Sequence, residues 1–273
     1  MLLQRILTAS ILAAAVIWLI LQPTEIFVYL LYVIALVSGF EWARLGGIKS
    51  GVVRIIFAFI VMLIAWSFIE FFYKYAIQYA FISAIWWFAM LVYLRHAVPV
   101  EKSTGVVIDK LAVAVLVVPA AAVSMYTIHK VDQGSDWLFY SLVLVWVADT
   151  GAYFAGKRFG KKKLAPKISP GKTREGLLGA VLATTVYTFF AGNYFNLDIQ
   201  KMLLLLTLSF VLTLVSVAGD LYESLLKREA GLKDSGVILP GHGGMLDRID
   251  SVLAAMPVFL VGFTWLIYPV EGL

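Results

Sequence analysis

Residues 202–220 read MLLLLTLSFVLTLVSVAGD, an uncharged apolar run that ends on Asp220. A helix that crosses a bilayer needs about 20 mostly apolar residues, so this stretch predicts a membrane span. Comparable runs recur along the 273-residue chain and predict nine spans in an all-α, polytopic membrane bundle. The predicted spans cover roughly residues 6–21, 26–41, 55–72, 76–94, 111–128, 137–156, 176–194, 202–221 and 249–269.

The composition agrees with this architecture. Hydrophobic residues make up 62% of the chain and charged residues 14%, and the mean hydropathy is +0.91. Soluble domains carry about 45–50% apolar and about 25% charged residues, which excludes a soluble or a disordered protein. The chain has no cysteine, so thiolate metal sites and cysteine nucleophiles are excluded, and three histidines disfavour a multi-histidine metal centre.

The basic residues indicate the orientation of the bundle. With nine spans, all but three of the 22 Lys and Arg residues fall on one alternate set of loops, the exceptions being Lys74, Lys130 and Lys201. Cytoplasmic loops carry the excess of Lys and Arg. We therefore expect a cytoplasmic N-terminus and an outside C-terminus, with the long loops 157–175 and 222–248 in the cytoplasm.

Four aspartates are expected near the cytoplasmic ends of spans, namely Asp149, Asp220, Asp247 and Asp250. Ionisable residues inside spans are costly and usually functional. Helix capping explains one of Asp247 and Asp250, but not Asp220, which the span prediction puts near a helix C-terminus. The pairs Asp247–Asp250 and Asp220–Glu223 have the i, i+3 spacing that puts both carboxylates on one helix face.

Clustered carboxylates repel each other unless a cation or a proton lies between them. Oxygen ligands without thiolates suit Mg²⁺, which binds one or two carboxylates together with substrate phosphates. A proton- or cation-coupled transporter is the other common use of such residues.

The two cytoplasmic loops favour the enzyme. Loop 157–175 holds eight basic residues against the single acid Glu175, and residues 169–176 read SPGKTREG. Glycine and helix N-terminal N–H groups suit phosphate, although orientation bias or anionic lipid also explains the charge. In the second loop, the pairs Lys233–Asp234 and Asp247–Arg248 place a cation beside a carboxylate, as a site for phosphate and metal requires.

These residues carry a family resemblance. Residues 224–250 read SLLKREAGLKDSGVILPGHGGMLDRID, and their fixed polar and glycine positions resemble the signature of the phosphatidate cytidylyltransferase (CDP-diacylglycerol synthase) family. The stretches DTGAY at 149–153, GKRFGK at 156–161 and KISPGKT at 167–173 resemble the family's other shared segment. Arg174 departs from the aromatic residue usual at that position. The resemblance is specific over about 149–176 and 220–250.

The resemblance implies that CTP and phosphatidate react with Mg²⁺ as cofactor, giving CDP-diacylglycerol and pyrophosphate. It implies Asp220 and Asp247 as metal ligands, with Asp250 and Asp149 completing the shell. The residues implied to hold phosphates are Lys227, Arg228, Lys233 and Arg248, and those implied for nucleotide or lipid phosphate are Lys167, Ser169, Lys172 and Thr173. The remaining substrate-binding candidates are Ser224, Asp234, His242, Gly243 and Gly244.

We expect CTP, phosphatidate and membrane lipids as partners and no nucleic acid, and a homodimer is left open. Residues 137–273 would form the catalytic part and residues 1–136 a part for packing, lipid access or oligomer contacts. We also expect a bacterial inner (plasma) membrane location, with the active site facing the cytoplasm. Two alternatives stay open, a transporter that uses Asp149 and Asp220, and a membrane enzyme that activates a different lipid.

Overall fold

The computed structural model describes residues 2–100, 106–239, 241 and 243–267, with the backbone alone for residues 2–9. Nine α-helices account for most of this part of the chain, which confirms the all-α membrane bundle. The helices are α1 (Leu2–Ile20), α2 (Thr24–Leu45), α3 (Gly51–Glu70), α4 (Ala76–Tyr93), α5 (Ile108–Lys130), α6 (Gly134–Phe159), α7 (Arg174–Tyr194), α8 (Ile199–Ala230) and α9 (Leu246–Gly262).

The helices follow the predicted spans closely. Eight are long and apolar enough to cross a membrane, and α1 contributes a shorter apolar segment at Ser10–Ile20. A short 3₁₀ helix at Tyr73–Tyr75 separates α3 from α4, in the gap between the third and fourth predicted spans. After α9 the chain continues as a π-helix over Phe263–Ile267.

One helix boundary differs from the prediction in a way that affects the site. Hydropathy puts the end of span 8 at residue 221, whereas α8 continues to Ala230. Leu221, Tyr222, Leu225 and Leu226 are buried at helical spacing, so the added turns pack an apolar stripe against the bundle. The helix ends at Gly231, whose φ of 68° gives a left-handed C-terminal cap. The expectation that Asp220 closes its helix is therefore wrong.

Helices α5 and α9 form the centre of the bundle, because they are the most buried of the eight spans. They pack against each other, α5 also packs on α2 and α3, and α9 also packs on α4 and α8. Small residues at the contacts, such as Ala121 of α5 and Ala254 of α9, are fully or almost fully buried and let the helices approach closely. This packing joins the two halves of the chain, and the functional division at residue 136 stays a prediction.

The basic loop after α6 folds into a hairpin. Strand β1 (Lys163–Ala165) pairs antiparallel with β2 (Ser169–Thr173), so the predicted loop is largely ordered. Glu175, in the first turn of α7, accepts hydrogen bonds from the backbone N–H groups of Lys161 and Lys162, at 3.0 and 3.1 Å. These bonds hold the base of the hairpin against the start of α7.

Candidate active site

Five aspartates line one polar cavity of about 410 Å³ where α6, α8 and α9 meet. Four of them are the aspartates predicted from the sequence, and the fifth is Asp234 from the loop before α9. The lining residues are Val145, Trp146, Asp149, Asp220, Lys227, Asp234, Asp247, Arg248, Asp250 and Ser251. The structure thus brings together acidic groups from three helices and one loop.

Asp149 lies on α6 and faces the cavity. It stands ten residues before the end of α6, which is roughly 15 Å at the rise of an α-helix. The residue is nevertheless exposed, because it faces the cavity. Within the described part of the chain, no hydrogen bond to its carboxylate is found.

Asp220 and Asp250 are brought together by a glycine. A Cβ atom at Gly219 would collide with the backbone oxygen of Asp250 and would lie 3.0 Å from the Cβ of Ala254. Only glycine allows α8 to approach α9 this closely. Asp220 and Asp250 are consequently close enough for their charges to interact, and Asp149 also lies within range of Asp250.

Two lysines neutralise part of this acidic cluster. Lys227 places its Nζ 2.6 Å from Glu223 Oε2 and 2.7 Å from Asp247 Oδ1. Lys172 of β2 places its Nζ 2.6 Å from Asp220 Oδ2. The three ion pairs are mostly shielded from solvent, so Lys227 holds two carboxylates in place and Lys172 holds one. Lys227, which the resemblance implies as a phosphate ligand, here bridges two carboxylates.

The loop before α9 fixes the other oxygen of Asp247. Asp247 Oδ2 accepts hydrogen bonds from Ser235 N at 3.0 Å, Ser235 Oγ at 2.9 Å and Gly244 N at 2.8 Å. Gly243 has a φ of 84°, and a Cβ atom there would lie 2.8 Å from the same oxygen. The glycines predicted as substrate-binding residues therefore shape the loop around Asp247.

The hairpin residues differ in their roles. Thr173 caps α7, because its Oγ1 accepts a hydrogen bond from Gly176 N at 3.1 Å. Ser169 lies in β2 opposite Ala165, and Lys167 is exposed at the turn. Of the four hairpin residues predicted to bind substrate, Lys172 is the one whose side chain reaches the acidic cluster.

The remaining predicted residues lie around the cavity. Ser224 Oγ donates to Asp220 Oδ1 at 3.3 Å. Arg228 and Lys233 are exposed and do not belong to the cavity lining. Arg248 does line it, whereas His242 lies outside the described residues. A phosphate-binding role for Arg228, Lys233 and His242 stays a prediction.

Glu41 also belongs to the site, although the sequence analysis did not predict it. This residue of α2 is 2% exposed and accepts three hydrogen bonds from the loop and start of α9. The signal was present, because an acid that follows an apolar run carries the same cost as Asp149. The residue was overlooked because the predicted span ends at residue 41 and places it at a boundary.

A second, apolar cavity adjoins the polar one. It has a volume of about 500 Å³ and lies between α1, α2, α5, α6 and α9. Leu19, Leu31, Met125 and Leu253 are typical of its walls. Trp146 and Arg248 line both cavities, so the charged cluster and an apolar space meet at these two residues.

The donor set suits a divalent cation of the magnesium type. No three His, Cys, Asp or Glu residues in the described ranges are grouped as a ready metal site. Mg²⁺ does not require such a group, because it takes one or two carboxylates, waters and substrate phosphates. Lys172 and Lys227 each place an ammonium group on one oxygen of Asp220 and of Asp247. The other oxygen of Asp247 accepts three hydrogen bonds, so a cation at Asp247 would have to replace the Lys227 contact.

Comparison with known proteins identifies the family. The profile of the Cytidylyltransferase family matches residues 3–266. The phosphatidate cytidylyltransferase of Haemophilus influenzae is 35% identical over 95% of this chain and 97% of its own length. Those of Pseudomonas aeruginosa and Bacillus subtilis are 35% and 36% identical, over 95% and 93% of this chain and 96% and 94% of their own lengths. The chain therefore belongs to the cytidylyltransferase family, and it is a membrane-embedded nucleotidyltransferase.

Proposed function

We propose that this protein transfers the cytidylyl group of CTP to phosphatidate, which gives CDP-diacylglycerol and pyrophosphate. The observation that carries the proposal is the meeting of the charged and apolar cavities at Trp146 and Arg248. A lipid phosphate beside Arg248 would stand among the charged groups while an acyl chain occupies the apolar space. The names of the three relatives support the same substrate.

The reaction fits a site made of charges without a nucleophilic side chain. A phosphate oxygen of phosphatidate attacks the α-phosphorus of CTP, the bond from that phosphorus to the β-phosphate breaks, and pyrophosphate leaves. The attacking oxygen is already anionic near neutral pH, so no general base is needed. Catalysis then consists mainly of positioning two polyanions and neutralising their charge.

Different residues hold the lipid phosphate, hold the triphosphate and orient Asp247. Arg248 is placed to hold the lipid phosphate at the junction of the cavities. Lys172 is placed to exchange its contact with Asp220 for a contact with the triphosphate. Lys227, Ser235 and Gly244 keep Asp247 in one orientation. Asp149 and Asp250 line the same cavity and would orient the remaining ligands.

We propose that the reaction uses Mg²⁺ as its cofactor. Asp220 and Asp247 are the residues that would hold it, and when bound it supplies positive charge that offsets the phosphate charges and polarises the α-phosphorus. We also place the site on the cytoplasmic face of the bacterial inner membrane. The asymmetry of Lys and Arg supports that orientation, and CTP is a cytosolic nucleotide.

The position of a radioactive phosphate tests the proposal. Purified protein would be incubated with Mg²⁺, phosphatidate and CTP labelled at either the α- or the γ-phosphate. We expect the α-label in the lipid fraction and the γ-label in pyrophosphate, with neither reaction when diacylglycerol replaces phosphatidate. Transfer of the γ-label to lipid would instead identify a lipid kinase, and no label in lipid with folded protein would refute the proposal.

A further inference from the structure

Glu41 connects the N-terminal half of the bundle to the acidic cluster. It lies near the end of α2, and both of its carboxylate oxygens face the loop that precedes α9. Oε1 accepts a hydrogen bond from Met245 N at 3.1 Å, and Oε2 accepts one from Leu246 N at 2.9 Å. Ser235 Oγ lies 3.0 Å from the same Oε2. The carboxylate thus binds both ends of the segment 235–246.

These contacts form a helix cap supplied by another helix. Met245 and Leu246 stand at the N-terminus of α9, where the first N–H groups have no partner inside the helix. The residue at the N-cap position, Met245, makes no side-chain cap of its own. A carboxylate at this end also interacts favourably with the helix dipole. Glu41 therefore caps the start of α9, one turn before Asp250.

The loop is shaped to receive this carboxylate. A Cβ atom at Gly236 would collide with Glu41 Oε1, and one at Gly244 would collide with Glu41 Oε2. Two residues without side chains therefore flank a charged group that is almost fully buried. Burying a carboxylate is costly unless it is well hydrogen-bonded, and three donors from the loop and from the start of α9 satisfy Glu41.

Ser235 links Glu41 to Asp247. Its Oγ lies 3.0 Å from Glu41 Oε2 and 2.9 Å from Asp247 Oδ2, and its backbone N–H also donates to Asp247. The hydroxyl has one proton and donates it to one of the two carboxylates at a time. Any displacement of Glu41 therefore changes the hydrogen bonding of an aspartate that faces the polar cavity.

We propose that Glu41 is a positioning residue for cytidylyl transfer, which from α2 holds the 235–246 segment and thereby orients Asp247. This inference rests on the proposed function for its kinetic consequence but not for its structural one. Replacing the carboxylate by an amide puts an N–H group against the N–H donors of the loop, so at least one of the bonds is lost.

Hydrogen–deuterium exchange of the full-length protein in detergent tests the structural part without substrate. In Glu41→Gln we expect faster exchange over residues 235–246 and unchanged exchange over the apolar part of α8. The matched control is Glu70→Gln, since Glu70 is an exposed carboxylate that accepts from Tyr32 OH at 3.3 Å. Equal exchange of residues 235–246 in wild type and Glu41→Gln would overturn the inference.

Steady-state kinetics tests the positioning role. Misplacement of Asp247 in Glu41→Gln should lower kcat by about 10- to 100-fold. The thermal unfolding midpoint of Glu41→Gln should fall modestly, because a buried hydrogen bond is lost, so kcat is measured well below the midpoints of both proteins. Glu70→Gln should keep full activity. Glu41 and Ser235 belong to one series of hydrogen bonds that leads to Asp247. The double variant Glu41→Gln/Ser235→Ala should therefore be no slower than the slower single variant. Full kcat in Glu41→Gln, or multiplication of the two single effects, would overturn the inference. An inactive wild-type protein would refute the proposed function while leaving the exchange result valid.

Discussion

Lys172 Nζ of the β-hairpin lies 2.6 Å from Asp220 Oδ2 in the middle of α8. This ion pair ties the basic segment after α6 to the acidic cluster, although 48 positions of the chain separate the two residues. A hairpin tied in this way places one positive charge at the cavity before any phosphate arrives. Its neighbours Lys161, Lys162 and Lys163 are exposed instead.

This contrast predicts a selective effect of the hairpin lysines. Lys172→Gln should lower kcat/KM for CTP by about 100-fold, as removal of one charge-stabilising donor from an active site typically does. Lys163→Gln removes an equal charge from the same hairpin and should stay within about twofold of wild type, as exposed charges contribute little. Equal losses in the two variants would show that only the overall charge of the hairpin matters.

A second prediction concerns Asp247, whose carboxylate is held by three hydrogen bonds and by a salt bridge to Lys227. Asp247→Asn keeps the shape of the side chain but removes its charge, so turnover should be abolished in the folded protein. The unfolding midpoint should also fall, because the ion pair with Lys227 is weakened. Asp132→Asn, at the turn before α6, is the control. Substantial pyrophosphate release by folded Asp247→Asn would contradict the role of Asp247.

Helix α8 shows which part of the fold could be predicted from the sequence and which part could not. Its apolar run was sufficient to predict a span, because a bilayer imposes a length and excludes unpaired backbone groups. The same rule failed beyond residue 221, where the helix leaves the apolar run and is stabilised by packing of Tyr222 and Leu225. Hydropathy measures the preference for lipid, and it does not detect a helix that is buried against other protein segments.

In the active site, likewise, some residues could be predicted from the sequence and others could not. Charge within or at the ends of apolar spans was enough to select Asp149, Asp220, Asp247 and Asp250, and the resemblance added the role of Asp220 and Asp247 as metal ligands. The carboxylates of Glu223 and Glu41 were not given roles, because their importance depends on contacts that no local pattern contains. Glu41 meets its partners about 200 positions further along the chain. Likewise, the bridging position of Lys227 follows from the approach of α8 to α9.

Lys227 gives a third prediction, on stability. Lys227→Met leaves Glu223 and Asp247, with side chains 5% and 8% exposed, without their shared cation. Breaking a buried ion pair in this way costs about 3–5 kcal/mol, so the thermal unfolding midpoint in detergent should fall clearly. The double variant Glu223→Gln/Lys227→Met removes one of the stranded charges and should recover part of the loss. A single variant as stable as wild type would show that the buried bridge contributes nothing.

The loop glycines give a fourth prediction. A methyl group at Gly244 would overlap Ser235 Oγ and Glu41 Oε2, so Gly244→Ala should displace the loop from Asp247 and lower kcat by at least about tenfold. Gly171→Ala, in the hairpin, meets no atom within 4 Å and is the matched control. Activity assays on both variants at equal protein levels would settle the comparison, and an unaffected Gly244→Ala would mean that loop geometry is not limiting.

The apolar cavity gives a fifth prediction. Val16→Phe adds bulk to the α1 wall of the cavity, so KM should rise for long-chain phosphatidate and change little for a dioctanoyl analogue. Ile11→Phe makes a similar change on the same helix at a residue that is 68% exposed, outside the cavity lining. If both variants raise KM for both lipids equally, the cavity does not hold an acyl chain.

In the proposed reaction, Asp220 and Asp247 hold a divalent ion against the triphosphate. Mn²⁺ can replace Mg²⁺ at oxygen sites, and its electron paramagnetic resonance spectrum reports binding directly. The measurement is titration of the purified protein with Mn²⁺ and CTP, in wild type, Asp220→Asn, Asp247→Asn and Asp132→Asn. We predict a protein-bound Mn²⁺–CTP signal in wild type and Asp132→Asn and its loss in the other two. Equal Mn²⁺–CTP binding in all four proteins would contradict the account.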